Sequence, residues 1–224
     1  MALILNLETA TTNCSVSIAK DGKIILQKED NSLNYSHSEK LHIFIQEALQ
    51  EASLSFSDLS AVAVSKGPGS YTGLRIGVSA AKGLCYALDI PLISVSTLES
   101  LANQATQNTY NFIIPVLDAR RMEVYSAVFN SKGQQIRDTK AEIIEEGHFM
   151  EYAEQGSVLL IGDGAEKCKG ILKNPNFSFI TTLPTALEMG ELSNKKFKIG
   201  DFENVAYFEP YYLKDFILQT KKKS

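Results

Sequence analysis

Short apolar blocks alternate with polar ones through the first thirty positions. Leu, Ile and Val dominate residues 2–7 and 14–20, the polar stretch "ETATTN" lies between them, and Asp21-Gly22 turns the chain into "KIILQKE". Short apolar runs bounded by turn residues predict strands, and an Asp-Gly pair between two of them predicts a hairpin. The chain therefore opens as a three-stranded meander. The period changes in "SHSEKLHIFIQEALQEAS", where Leu41, Phe44, Ile45, Ala48 and Leu49 recur at helical spacing behind Ser36 or Ser38 as a cap. "AVAVS" at 61–65 predicts a strand that runs into a glycine-rich loop, and "YTGLRIGVSAAKGLCYALD" predicts a helix that ends before Pro91. "PLISVS" and "TLESLANQA" add a strand and a helix, with Thr97 as the helix cap.

The second half follows the same grammar. "FIIPVLDA" and "MEVYSAVF" predict strands, Lys132-Gly133 a turn, and "QQIRDTKAEII" a third strand. "SVLLIGDG" predicts a strand with a glycine turn, and "AEKCKGILK" and "PTALEMGELSNKKF" predict helices. Two passes of meander followed by helix-strand units predict an α/β protein of two related lobes, each a mixed sheet flanked by helices. The polar stretch "NQATQNTYN" at 103–111 is the candidate linker. It divides the chain into lobes 1–102 and 103–224, with the final segment free to return to the first lobe.

Composition narrows the function classes. With 224 residues and 44% hydrophobic residues, the chain is long enough to bury about 70% of its unfolded surface without staples. No apolar run is long enough to span a bilayer, and the N-terminus lacks the basic start of a secretory leader, so a cytoplasmic protein without membrane contact is expected. Cys14, Cys85 and Cys168 are odd in number and far apart, which fits a reducing compartment and three small buried hydrophobes. Net charge is −4, and the one dense basic run is Lys221 to Lys223. Autonomous binding of RNA normally needs a basic face, so it is not expected.

Candidate chemistry sits in the turns. In "SKGPGSYTGLRIG", Gly67 and Gly69 flank Pro68, which forces a sharp turn whose following helix start exposes N–H groups to an anion. It lacks the Lys-Ser/Thr of a Walker A loop, and a tight turn without ligand explains it equally well. In the helix behind it, Gly73, Gly77, Ala81 and Cys85 fall four apart, so one stripe carries little bulk while most of the remaining surface is apolar. Such a helix is covered on more than one side, by its own lobe or by the helix of another protein. The first turn resembles the hairpin that wraps phosphate in actin-like and sugar-kinase-like ATPases, with Glu8 in the place of a metal-associated Asp and Thr9, Thr11 and Thr12 as hydroxyl donors, but no Lys sits close by to neutralise phosphate. The cluster Asp118, Arg120, Arg121, Glu123 and Tyr125 fits either a phosphate or carboxylate clamp or an ion-paired surface joining the lobes. His37 and His42 are five apart, about 140° round a helix, so they do not converge on one metal ion.

The stretches "LETAT" (7–11), "GPGSYTGLRIG" (67–77), "ISVSTLESLA" (93–102), "DARRMEVY" (118–125), "GDGA" (162–165) and "EPYYLKD" (209–215) together resemble the TsaB family. The resemblance runs over almost the whole chain. It implies a two-lobed actin-like fold of the acetate-kinase, sugar-kinase and Hsp70 type. It also implies a non-catalytic subunit for forming threonylcarbamoyladenosine at tRNA adenosine 37, which binds and activates a TsaD-type enzyme and works with a TsaE-type ATPase. Contact with tRNA would be indirect, through the complex, and the chain would pair with itself when alone.

The expected interface lies on the outer sides of helices 37–53 and 71–88: His37, His42, Gln46, Tyr71, Arg75, Ser79, Lys82 and Tyr86, with Gly73, Gly77 and Ala81 as a close-approach stripe. On that reading Gly77→Leu abolishes docking and leaves the chain folded. Glu8, Thr9, Thr11, Gly67 and Gly69 would be vestigial phosphate loops. The HxxxH metal pair of TsaD relatives is replaced by "STLESLANQ", so this subunit is expected to hold no cofactor, ATP and metal belonging to its partners. The rival expectation is an independent actin-like ATPase or small-molecule kinase using Thr9, Thr11, Asp118 and Asp163.

Overall fold

The computed structural model describes residues 1–32, 37–105 and 109–213. The chain forms β1 (Leu3–Glu8), β2 (Cys14–Lys20), β3 (Lys23–Asp30), α1 (His37–Glu51), β4 (Ala61–Gly67), α2 (Tyr71–Leu88), β5 (Leu92–Ser96) and α3 (Thr97–Asn103). It then repeats the series with β6 (Phe112–Asp118), β7 (Glu123–Asn130), β8 (Gln135–Ile143), α4 (Met150–Ala153), β9 (Val158–Ile161), α5 (Ala165–Ile171), β10 (Phe177–Ile180) and α6 (Met189–Ile199). The two sheets have the same order, β3-β2-β1-β4-β5 and β8-β7-β6-β9-β10. In each, the meander is antiparallel and the last two strands run parallel to the first.

Period-2 alternation decides which face meets which helix. Leu3, Leu5 and Leu7 of β1 point into a core completed by α1 and α2, where Leu41, Ile45, Val78 and Cys85 are buried. Ile4, between them, points the other way and packs with Ile93 and Val95 against Met189 and Leu192 of α6. On the second sheet, Ile114 and Val116 face α4 and α5, while Ile113 and Leu117 face Leu98 and Leu101 of α3. Each lobe thus lends its last helix to the other. By sheet contact, α3 lies against β6 and β7 as well as β4 and β5, and α6 lies against the first sheet.

Residues 203–213 also return to the first lobe, where Glu203 N–H donates to Leu92 O at 2.8 Å and Tyr211 N–H donates to Lys66 O at 2.7 Å. The cap of α3 is Ser96 rather than Thr97, its hydroxyl accepting from Glu99 N. The proposed cap Ser36, the middle of the linker and the Lys221–Lys223 run lie outside the described residues. All three cysteines are free and buried, and burial pushes their thiols up to about 11, 11 and 12 for Cys14, Cys85 and Cys168.

Candidate docking groove and the closed loops behind it

Gly67 has φ +108°, a backbone state that side chains disfavour, and it swings the chain from β4 into α2. Ser70 then caps α2, its hydroxyl accepting from Gly73 N, while its own N–H donates to Ala10 O at 2.6 Å. That bond ties the glycine loop to the β1–β2 turn. The small residues serve this contact. A Cβ at Gly69 would fall on the Ala10 carbonyl, one at Gly73 on the Thr9 carbonyl, and one at Gly77 on Thr9 Oγ1. Gly73, Gly77 and Ala81 are therefore buried inside their own lobe, and their expected place on an interface is corrected. A leucine at Gly77 would press on Thr9 inside the lobe, so Gly77→Leu is expected to cost stability.

Glu8 closes the turn from beneath. It is fully buried, and its Oε1 accepts from Ala10 N and Ser65 Oγ, both at 2.7 Å. Burial, aided by the nearby Glu188 carboxyl, pushes its pKa up to about 7 against the lowering effect of those hydrogen bonds. Its Oε2 has no hydrogen-bond partner among the described residues, and neither has Thr9 Oγ1. Thr11 accepts from Asn13 N at 3.3 Å. The five candidate phosphate-loop residues, Glu8, Thr9, Thr11, Gly67 and Gly69, are thus brought together. They are closed on one another: the Ala10 N–H that a phosphate oxygen would need is already held by Glu8 Oε1.

The other face of α2 is open. Between α1 and α2 runs a groove of about 750 Å³ lined by Ser38, His42, Tyr71, Thr72, Arg75, Ile76, Ser79, Ala80, Gly83 and Leu84. Of the expected interface residues, His42, Tyr71, Arg75 and Ser79 line it. Gln46 and Tyr86 are exposed nearby on the same helices, Tyr86 at 86%. His37 is not part of this face. It is 1% exposed, set against the backbone of Thr11 and Asn13, and burial holds its pKa below the usual histidine value. Its outward assignment failed because the first turn of α1 lies over the β1–β2 turn.

Lys82 is turned aside to the C-terminal strap, its Nζ donating to Ala206 O and Phe208 O at 3.2 and 3.0 Å. Sequence reasoning missed Tyr212, although it lies in a stretch already singled out. Arg75 Nε donates to Tyr212 Oη at 3.1 Å, its guanidinium sits 4.1 Å from the Tyr71 ring centre, and the two rings are 5.0 Å apart. Stacking of this kind holds the planar guanidinium in place at the groove wall.

In the second lobe, Asp118 and Asp163 meet at the carboxyl ends of β6 and β9, where Asp118 N–H donates to Asp163 Oδ1 at 2.8 Å. Burial raises the Asp163 pKa. Lys167, not foreseen, binds Asp118 Oδ1 at 2.7 Å. Among the described residues no group of three His, Cys, Asp or Glu side chains is placed to hold a metal, and no helix is long and apolar enough to cross a membrane.

A sheet order repeated in two lobes that exchange their last helices defines a two-lobed, actin-like α/β protein. Residues 31–216 match the family model described as TsaD: tRNA N6-adenosine threonylcarbamoyltransferase. The chain is 30% identical to the tRNA threonylcarbamoyladenosine biosynthesis protein TsaB of Escherichia coli, over 97% of each. It is 36% identical to the Bacillus subtilis protein of the same name, over 58% of this chain and 56% of that one. The solved structure of YeaZ from Pseudomonas aeruginosa superposes with a TM-score of 0.80 at 25% identity, covering 95% of this chain and 100% of that one. This chain belongs to the TsaB family.

Proposed function

We propose that the chain is a non-catalytic subunit in the formation of threonylcarbamoyladenosine at tRNA adenosine 37, and that it docks and activates a TsaD-type enzyme through the α1–α2 groove. One observation carries the reading: the helix face that opens to solvent is a groove with apolar walls and a fixed cation, Arg75, while the loops that would bind nucleotide are closed on themselves. Apolar area with a few placed polar groups is what a specific docking face needs. The TsaE-type ATPase joins this complex, ATP and metal bind in the partner subunits, and tRNA is met through the assembly. Without its partner, the chain covers the same groove with a second copy.

Gly83 supplies the test. It lines the groove, and a Cβ there meets nothing within 4 Å. Gly83→Gln therefore fills the groove without disturbing the helix, whose propensity it improves. Titration calorimetry with the TsaD-type subunit is expected to show binding at least tenfold weaker, with the melting midpoint of the chain unchanged or higher. Wild-type affinity in this variant would rule the groove out. A second titration, Mg·ATP into the chain alone, is expected to be silent to millimolar ligand. Saturable micromolar binding would replace the accessory reading with a nucleotide-using one.

A further inference from the structure

Two adjacent residues of the second lobe, Arg120 and Arg121, have φ of +70° and +51°. Left-handed backbone is common for glycine and tolerated by Asp or Asn, but it is costly for a long side chain. They form the one adjacent pair of non-glycine residues in this state among those described. The conformation is imposed from below. Arg120 N–H donates to Asp118 Oδ1 at 2.6 Å and Ala119 N–H to Glu123 O at 3.1 Å. Lys167, its side chain only 16% exposed, donates from one ammonium to Asp118 Oδ1, Arg121 O and Glu123 O at 2.7, 2.8 and 3.1 Å. A half-buried lysine and an aspartate are thus engaged in shaping a loop whose two arginine side chains are exposed and make no ion pair or hydrogen bond of their own among the described residues.

We infer that this tip is a contact for the phosphate backbone of RNA, and that Arg120 and Arg121 meet successive phosphates of the tRNA presented to the assembled complex. The inference rests on the tRNA reading above. Guanidinium matches phosphate geometry, and backbone strain held in place by surrounding structure marks functional positions. The tip stands at the carboxyl ends of β6 and β9, the edge where α/β sheets meet ligands. A free nucleotide would need an enclosing hollow, and these residues line neither the α1–α2 groove nor the one of about 620 Å³ beside Arg137 and His148. A protein face would bring a contiguous apolar area, and here only Met122 on the tip and Ile143 on the neighbouring strand, opposite Glu123, are exposed. Two phosphate contacts are too few to hold RNA on a chain of net charge −4, so the tip acts within the complex and not alone.

The test compares wild type with the pair R120N/R121N, because asparagine suits positive φ and carries no charge. Anisotropy of labelled tRNA with the complex of this chain and the TsaD-type subunit, over a salt series, is expected to show about tenfold weaker binding at low salt. The slope of log K against log salt should become shallower by roughly 1.4–1.8, at 0.7–0.9 for each phosphate. The melting midpoint should stay or rise, and the charge-keeping pair R120K/R121K should keep the slope. Unchanged affinity and slope in the asparagine pair would overturn the inference, as would loss of the slope in the lysine pair. Weaker assembly with the TsaD-type subunit but normal tRNA binding once assembled would overturn it in favour of a protein contact. Failure of the wild-type chain to assemble would instead overturn the docking reading, and this inference with it.

Discussion

Gly73→Leu is expected to cost at least about 3 kcal/mol of stability, while Gly83→Leu, ten positions along the same helix, is expected to gain roughly 0.7 kcal/mol. Helix propensity favours leucine at both sites. The difference is what each new Cβ meets: the Thr9 backbone carbonyl at Gly73, and nothing within 4 Å at Gly83. A backbone carbonyl cannot rotate away as a side chain can. Relief requires moving the β1–β2 turn, which is fixed by the Ala10 O–Ser70 N and Ala10 N–Glu8 bonds. Gly77→Leu, which presses on the Thr9 side chain, should fall with Gly73→Leu in sign. Urea unfolding checks the pair, read as midpoint shifts at constant slope. A Gly73→Leu chain as stable as wild type would show that the turn yields, and that the stripe is free to serve a partner after all.

The second large effect is on pH dependence. The Glu8 pKa is raised from 4.5 in its ordinary setting to about 7, so between these values the unfolded chain releases a proton that the folded one keeps. Stability from this group is fully present below pH 4.5 and falls as pH rises through 7, by about 3 kcal/mol in total. Glu8→Gln keeps an acceptor for Ala10 N and Ser65 Oγ but cannot ionise. It is expected to be more stable than wild type at pH 8 by up to about 3 kcal/mol, with the advantage gone by pH 4.5. Asp163, also raised by burial, adds slope of the same sign to both chains and cancels in the comparison, whereas Glu188 acts on Glu8 directly and its coupling is part of the difference read. Urea unfolding of both chains at pH 4.5, 6, 7 and 8 decides it. Parallel curves would mean that Glu8 is not the group that titrates.

The strands and most helices were legible because period and turn chemistry are local. Asp21-Gly22 and Lys132-Gly133 marked hairpins that formed, and the β-β-β-α-β-α-β-α order of the first lobe appeared in the sequence before it appeared in the sheet, whereas α4 and β10 of the second lobe, four residues each, were too short to be read. What covers a surface was not legible. The four-residue spacing of Gly73, Gly77 and Ala81 says that something comes close to α2, and a stripe fits a neighbouring turn as well as a partner's helix. Only the fold shows that Thr9 is what comes close. His37 was lost for a related reason: a helical wheel assumes the core lies on one side, and the β1–β2 turn adds a second. Lys167 and Tyr212 reach their sites from residues 49 and 137 positions away from Asp118 and Arg75, a separation that no spacing rule spans.

The exchanged helices set an order of events during synthesis. The first sheet has all its strands once Ser96 has left the ribosome, yet Ile4, Ile93 and Val95 stay uncovered until Met189 and Leu192 arrive. The second sheet does not wait in this way, because α3 precedes it in the chain and is ready to receive Ile113 and Leu117. The lobe made last is therefore the first that can be completed. The lobe made first is sealed only when α6 arrives, so a nascent chain stalled between Ser96 and α6 carries a bare apolar sheet face for a chaperone to find.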